Sequence, residues 1–130
     1  MRYGKTIGIA SLLLLSSALP AGCVALVVGG AVAAGTIAYN NGELVSSEEA
    51  RFGVVWAATT GAVQEIGLAV ESSAHDDAGG AIDARNQDGD KITIRVAAMG
   101  DDMTQVRIRV GTFGDEAESH RILTEIRDHY

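Results

Sequence analysis

Few side chains in this sequence have the types and spacings that catalysis or metal binding requires. His120 and His129 lie nine residues apart on what we predict to be the last helix, so they fall on opposite faces and do not share a metal ion. His75 precedes Asp76 and Asp77, a weak cation-site pattern that is more typical of a solvated loop. The chain has no nucleophile elbow, paired-cysteine motif, zinc-protease motif or phosphate-binding loop. We therefore expect no enzymatic activity, no metal and no cofactor.

Arginine residues alternate with apolar residues in the strand-like segments of the second half of the chain. This alternation predicts that Arg85, Arg95, Arg107 and Arg109 share the outward face of a sheet, and Arg95, Arg107 and Arg109 are the candidate partner-binding residues. Guanidinium groups bind carboxylates and phosphates well, so this face suits lipid head groups, cell-wall carboxylates or an acidic protein. The competing interpretation is that the arginines pair across strands with Glu71 and Asp83, at about 0.2–1 kcal/mol a pair.

The only cysteine, Cys23, follows a segment with the features of a secretory signal. The segment has a basic start at Arg2 and Lys5, an apolar run over residues 7–15, and small residues just before Cys23. The apolar run is too short to span a bilayer alone. Residues 19–23 (LPAGC) resemble a bacterial lipobox, in which an aliphatic residue and two small residues precede the cysteine; here Pro20 stands at the aliphatic position.

The lipobox resemblance implies lipid attachment at Cys23. In such lipoproteins the cysteine sulfur takes a diacylglyceryl group, the signal is removed before the cysteine, and the new amine is acylated. We therefore expect residues 1–22 to be a signal peptide that ends in the lipobox, and several acyl chains to hold the protein stably at the membrane. Because Val24 stands where many inner-membrane lipoproteins have Asp, the outer membrane is favoured over the inner membrane. A buried core cysteine in an ordinary exported protein is the alternative.

Residues 23–42 are expected to form a lipidated, Gly- and Ala-rich apolar leader, since residues 6–42 contain no charged side chain. Three interpretations of this leader compete. It is a flexible or interfacial segment beside the lipid, a Gly-rich helix that packs on another copy through small residues such as Gly30 and Ala34, or an uncleaved membrane hairpin.

Composition restricts the rest of the chain to one small acidic domain. The 130 residues include 17 Asp and Glu against 10 Lys and Arg, a net charge of −7, which argues against a nucleic-acid partner. A single cysteine excludes an intramolecular disulfide framework. Hydrophobic residues make up 47%, too many for a disordered chain. Residues 43–130 are therefore predicted to be one periplasmic domain.

The first half of this domain is predicted to contain a short strand over residues 43–45 and a helix. Ser46 and Glu49 match a capping box, so we expect the helix to start near Ser47. Its apolar residues follow a period of three and four, and Gly67 stands at the position of a C-cap.

The second half is predicted to contain four strands and a final helix. Alternating apolar residues, with short turns such as 88–89 (DG), predict antiparallel neighbours with one buried face. Asp115 and Glu118 form a second capping box, and Phe113 before it is expected to be buried. The predicted fold is α+β, an antiparallel four- to five-stranded sheet with two helices packed on one face, in the order (β)-α-β-β-β-β-α.

Three segments outside the signal carry a resemblance to a protein family. They are residues 39–44 (YNNGEL), 55–59 (VWAAT) and 108–116 (IRVGTFGDE). With the lipobox and the leader, they resemble the DUF3568 family of small bacterial lipoproteins over essentially the whole chain. The resemblance implies a lipoprotein that faces the periplasm, and it implies no particular activity.

These observations lead us to expect a lipid-anchored bacterial envelope protein with a non-enzymatic structural or interaction role. It would contact the membrane through the N-terminal lipid and take an envelope protein or the cell wall as its partner. The alternative is a small periplasmic ligand-binding module that uses the sheet face or a pocket between the sheet and the helices.

Overall fold

The computed structural model describes residues 36–130. In this part of the chain six strands form one antiparallel sheet, and two helices pack on one of its faces. The predictions for the signal peptide, for Cys23 and for leader residues 23–35 lie outside the described residues. The elements are β1 (Ile37–Asn40), β2 (Glu43–Glu48), α1 (Phe52–Ile66), β3 (Ala69–His75), β4 (Gly79–Arg85), β5 (Lys91–Gly100), β6 (Met103–Val110) and α2 (Glu116–Arg127). Across the sheet the strand order is β1-β2-β6-β5-β4-β3. The predicted α+β class and the order of elements are confirmed.

The sheet has six strands, against the four to five that we predicted. The additional strand, β1, belongs to residues that we assigned to the leader. Asn41 and Gly42, with φ of 53° and 81°, form the tight turn that joins β1 to β2. With only four residues, β1 is too short to show a periodicity, and its pairing with β2 places it in the sheet.

The predicted helix start at Ser47 is wrong. Residues 43–48 form β2, which pairs antiparallel with β6 from Glu43 opposite Arg109 to Glu48 opposite Thr104. This ladder with a distant strand overrides the local capping pattern, and α1 begins at Phe52 with no side-chain cap. The predicted end of α1 is confirmed, because Gly67 adopts the left-handed conformation and its N–H bonds to the carbonyls of Val63 and Gln64.

The core lies between the sheet and the two helices. Alternate residues of the three central strands supply most of it, together with one apolar stripe from each helix. The most buried side chains include Leu44, Val55, Ile82, Ile92, Ile94, Val106, Ile108, Ile122 and Ile126. Trp56 covers β4 at Gly80, where a Cβ atom would lie 2.5 Å from the Trp56 ring.

A buried carboxylate joins the C-terminal end of the chain to β2. Glu48 is only 5% exposed, and Arg127 donates to its carboxylate at 2.9 Å while Ser46 and Tyr130 donate from their hydroxyl groups. Burial raises the pKa of Glu48, but the hydrogen bonds from Arg127, Ser46 and Tyr130 outweigh burial and hold that pKa below its ordinary value. The cluster therefore contributes a hydrogen-bonded, ionised group to the packing of α2 on the sheet.

Of two predictions about the loop between β6 and α2, one is confirmed and one is wrong. The Asp115 side chain accepts a hydrogen bond from the Glu118 N–H at 3.0 Å, as a capping box requires. Phe113, which we expected to be buried, is 92% exposed. The physical reason is that Gly114 packs its backbone against Gly42, so the loop is held by backbone contact and the Phe113 side chain lies outside the core.

Candidate anion-binding face

The sheet face opposite the helices, called here the outer face, collects the strand residues that alternate with the core. On β5 these residues are Lys91, Thr93 and Arg95, and on β6 they are Arg107 and Arg109. Arg85 of β4, opposite Lys91, lies on the same face, so the four arginines that we predicted to share one face do so. Both helices lie on the other side of the sheet, so neither of them covers this face. Lys91 and Arg95 are exposed there, whereas Ser47 and Gln105, which face outward on β2 and β6, are buried.

Within residues 36–130, the Lys and Arg side chains that form no ion pair with Asp or Glu all lie on the outer face. That part of the chain has eight Lys and Arg side chains, and five of them form ion pairs with Asp or Glu. The other three, Lys91, Arg95 and Arg109, pair with no carboxylate of the described residues. All three lie on β5 and β6, on the outer face. The domain thus concentrates its unbalanced cations on one surface, although its net charge is negative.

Arg109 is held in place without being neutralised. Its Nη2 donates to the Asn41 carbonyl at 2.7 Å and its Nη1 donates to the Thr112 carbonyl at 3.2 Å. These carbonyls belong to the β1–β2 turn and to the β6–α2 loop, so the guanidinium links two loops. Both acceptors are uncharged, and Glu43, which lies opposite Arg109 in the β2–β6 ladder, pairs with Arg107 instead. The guanidinium is thus held in a fixed orientation without an ion pair, which reduces the entropic cost of binding an anion.

Arg107 differs from the other two arginines. Its Nη1 donates to Glu43 at 2.8 Å, and its Nε donates to Gln105 at 3.0 Å. Its charge is therefore balanced within the sheet. Arg95 lies directly opposite Arg107 in the β5–β6 ladder and makes no side-chain hydrogen bond within the described part of the chain.

The pairing hypothesis is confirmed at Glu71 and wrong at Asp83. Arg85 donates to Glu71 at 2.8 Å across the β3–β4 pair. Asp83 instead accepts hydrogen bonds from the hydroxyl groups of Ser72 and Thr93.

A shallow cavity of about 260 Å³ opens on the outer face beside Arg109. Its lining consists of Lys91, Thr93, Arg109, Gly111 and Thr112. Gly111 is held beside Lys91 because its N–H donates to the Lys91 carbonyl at 2.7 Å. We call this cavity the basic cavity. Lys91 and Thr112 were not among the predicted site residues, although the position of Lys91 immediately before the alternating run of β5 was an available signal.

An exposed aromatic residue follows the lining of the basic cavity in the chain. Phe113 follows Thr112, and the two are bracketed by Gly111 and Gly114, whose φ values are 72° and 87°. A Cβ atom at Gly114 would lie 2.3 Å from the Gly42 Cα and 2.5 Å from the Tyr39 hydroxyl oxygen. The loop therefore has a defined position against the β1–β2 turn, and it presents Phe113 to the surroundings.

Two further cavities lie away from the outer face. One, of about 370 Å³, is lined by polar and acidic residues including Asp88, Asp90, Asp115 and Glu118. The other, of about 280 Å³, is an apolar groove between α1 and the edge strand β3, with Val63, Val70 and Ile82 in its lining. Within residues 36–130, no group of His, Cys, Asp and Glu is placed to hold a metal ion, and neither helix is long and apolar enough to cross a membrane.

Two of the three segments that carry the family resemblance, residues 39–44 and 108–116, meet at this end of the sheet, while residues 55–59 lie in α1. Tyr39 and Gly42 contact Gly114, and Arg109 bonds to the loops on both sides. No curated protein matches the chain. A family model described as "Protein of unknown function (DUF3568)" matches residues 6–129, which includes both the N-terminal segment and the domain. The chain therefore belongs to the DUF3568 family.

Proposed function

We propose that this protein is a lipid-anchored envelope protein whose domain is a non-enzymatic binding module for an anionic partner. One observation carries the proposal. Lys91, Arg95 and Arg109, the cations without a carboxylate partner in the described residues, lie together on the outer face of the sheet.

Electrostatics favours an anionic partner at this face. The 17 acidic residues all lie in the described part of the chain, so an anion approaching from most directions is repelled. The outer face is the exception, and a local positive surface on an acidic protein orients an anionic partner and selects against other orientations. The acidic residues on the rest of the surface disfavour non-specific association with other anionic molecules.

The proposed anchor at Cys23 restricts where that partner lies. Cys23 and Ile37 are 14 residues apart, and a fully extended chain of that length spans at most about 50 Å. A domain attached at Cys23 therefore stays close to the bilayer, with the outer membrane favoured by Val24. Its partners are then lipid head groups, cell-wall carboxylates or an acidic protein surface of the envelope.

The anchor is tested by the intact mass of the membrane-extracted protein beside a Cys23→Ser variant. We expect the mature chain to begin at Cys23 and to carry acyl groups, and the variant to lose both features. A wild-type mass that retains residues 1–22 without lipid would contradict the anchor and favour the membrane hairpin.

The binding face is tested by titrating the full chain with polyphosphate and with polyglutamate. Arg95→Glu is expected to weaken binding about fivefold or more, since a basic residue near an anionic surface contributes about 1 kcal/mol. Arg51→Glu is the matched control, because it changes the net charge equally at an exposed site on the helix side. Equal weakening by both variants would show a net-charge effect and would refute a specific face, as would the absence of binding to either polymer.

A ligand-binding module is the alternative, and the apolar groove between α1 and β3 favours it. Its volume of about 280 Å³ lies at the lower limit of ordinary ligand sites, which are about 300–1,000 Å³. Val70→Phe would fill the groove from its β3 side, where Val70 is 50% exposed. Native mass spectrometry would compare the wild-type protein with this variant. A small molecule that is bound to wild type and absent from the variant would support the ligand-binding alternative over binding at the outer face.

A further inference from the structure

We propose that the basic cavity binds the phosphate group of a membrane phospholipid, while Phe113 enters the apolar layer of the bilayer beside it. This inference rests on the proposed function and deepens it, because it names the anionic partner of the outer face. It is carried by two observations: the cations Lys91 and Arg109 line one cavity, and Phe113, which is 92% exposed, directly follows the cavity residue Thr112 in a loop that is held by backbone contact.

The donors of the basic cavity suit a phosphate oxyanion. Arg109 has five N–H donors, and two of its nitrogen atoms hold backbone carbonyls, so its Nε–H and a remaining proton on each terminal nitrogen are available. Lys91 supplies a second positive charge from the neighbouring strand, and Thr112 supplies a hydroxyl group at the rim. The Thr93 hydroxyl already donates to Asp83, so it lines the cavity without adding a donor.

Phe113 selects a phospholipid among phosphate-bearing ligands. An exposed phenyl ring on a loop held by Gly111 and Gly114 is costly to leave in water, and it gains free energy only from an apolar environment. Thr112 lines the basic cavity and Phe113 follows it directly in the chain, so a ligand that contacts both has an anionic group beside an apolar region. The interface of a bilayer has this arrangement, and aromatic side chains are enriched there.

Acidic side chains near the loop restrict the orientation of the domain on the membrane. Asp88, Asp90 and Asp115 line the polar cavity of about 370 Å³, beside the ends of α1 and α2. An anionic bilayer repels these carboxylates, so the domain must approach with its outer face. Attachment at Cys23 would keep the cavity within reach of the bilayer, and a tethered site needs little intrinsic affinity to be occupied.

The test uses the full chain, anchored in vesicles, with tryptophan fluorescence as the readout. The Phe113→Trp variant is reconstituted in vesicles of phosphatidylglycerol with brominated acyl chains, which quench only indoles that enter the bilayer. Wild type is the control, because its single tryptophan, Trp56, is 8% exposed in the core. We expect strong quenching of the variant and almost none of wild type. Equal quenching of both proteins would overturn the proposal.

Further variants separate the phosphate contact from general charge. Adding Lys91→Glu to Phe113→Trp is expected to remove most of the quenching, whereas adding Arg51→Glu leaves it unchanged. Vesicles of a neutral glycolipid with fatty acid carry anionic carboxylates without phosphate, and they are expected to quench several-fold less. Equal quenching with this lipid, or no effect of Lys91→Glu, would refute phosphate binding at the cavity.

Inorganic phosphate distinguishes a lipid site from a site for free phosphate. Phosphate is added to the protein at constant ionic strength, and the amide NMR signals of residues 91, 109 and 112 are followed. If these signals shift while the vesicle experiment shows no quenching, the cavity binds free phosphate and the lipid proposal is overturned. If Arg95→Glu weakens polyanion binding while quenching is absent, the proposed function stands and this inference fails. If Arg95→Glu also has no effect, both fail.

Discussion

Arg95 and Arg107 lie directly opposite each other on neighbouring strands of the outer face. Like charges in this position repel, and only Arg107 is balanced, by Glu43 at 2.8 Å. Because Glu43 offsets only part of this repulsion, we expect Arg95 to weaken the sheet slightly while it adds positive charge to the proposed binding face. Such a cost in stability is typical of a residue that serves binding.

The first prediction concerns this repulsion. Arg95→Thr is expected to raise the free energy of unfolding by about 0.2–1 kcal/mol, because it removes the like-charge pair and introduces a residue that favours strands. Urea denaturation of the full chain measures the change. The same variant is expected to weaken polyanion binding, and a variant that loses stability would contradict the repulsion.

The second prediction concerns acid. Because the pKa of Glu48 is lower in the folded protein than its ordinary value, the stability that its carboxylate contributes is present above that ordinary value. It is lost as the pH falls through the folded pKa. We expect Glu48→Gln to destabilise the protein by about 1–3 kcal/mol at pH 7 and by less in acid. Denaturation series at both pH values measure the difference.

Arg121→Gln provides the control for Glu48→Gln. It removes the Arg121–Glu118 ion pair, whose arginine side chain is 59% exposed, and should cost at most about 0.5 kcal/mol. If Glu48→Gln lowers the free energy of unfolding by as little as Arg121→Gln, or by the same amount at both pH values, the buried cluster contributes little to stability.

The third prediction concerns the backbone contact between the two loops. Gly114→Ala would place a Cβ atom 2.3 Å from the Gly42 Cα at a φ of 87°, so we expect a loss of about 2–4 kcal/mol. Gly111→Ala also has a positive φ but meets no atom within 4 Å, and it should cost only about 1 kcal/mol. Similar losses in thermal unfolding for the two variants would argue against close packing of the loops.

The fourth prediction distinguishes an exposed from a buried Phe113. Phe113→Ser is expected to change the free energy of unfolding by less than about 0.5 kcal/mol, as surface substitutions do. A buried phenylalanine would cost about 3–5 kcal/mol on truncation. Chemical denaturation separates the two values, and a loss in the upper range would show that the ring packs in the core.

Local chemistry in the sequence determined several features without help from the tertiary structure. Gly67 ends α1 because a left-handed residue closes a helix, and the Asp115 side chain starts α2 because it accepts a helix N–H. Alternation of apolar residues in β4, β5 and β6 predicted both the sheet and its buried face. The family resemblance was also readable from short segments alone.

The tertiary structure decided what depends on distant residues. Ser46 and Glu49 match a capping box, yet pairing with β6 makes their segment a strand, because ladder hydrogen bonds and burial outweigh one cap. The arginines look alike in sequence. The strand register places Glu43 opposite Arg109, and only the side-chain contacts show that Glu43 pairs instead with Arg107, 64 residues away, while Arg109 bonds to backbone carbonyls. Phe113 is exposed because Gly42 and Gly114 meet across the fold. Charge balance and exposure are properties of spatial neighbours, so a pattern along the chain predicts a face but not which of its residues are free to bind.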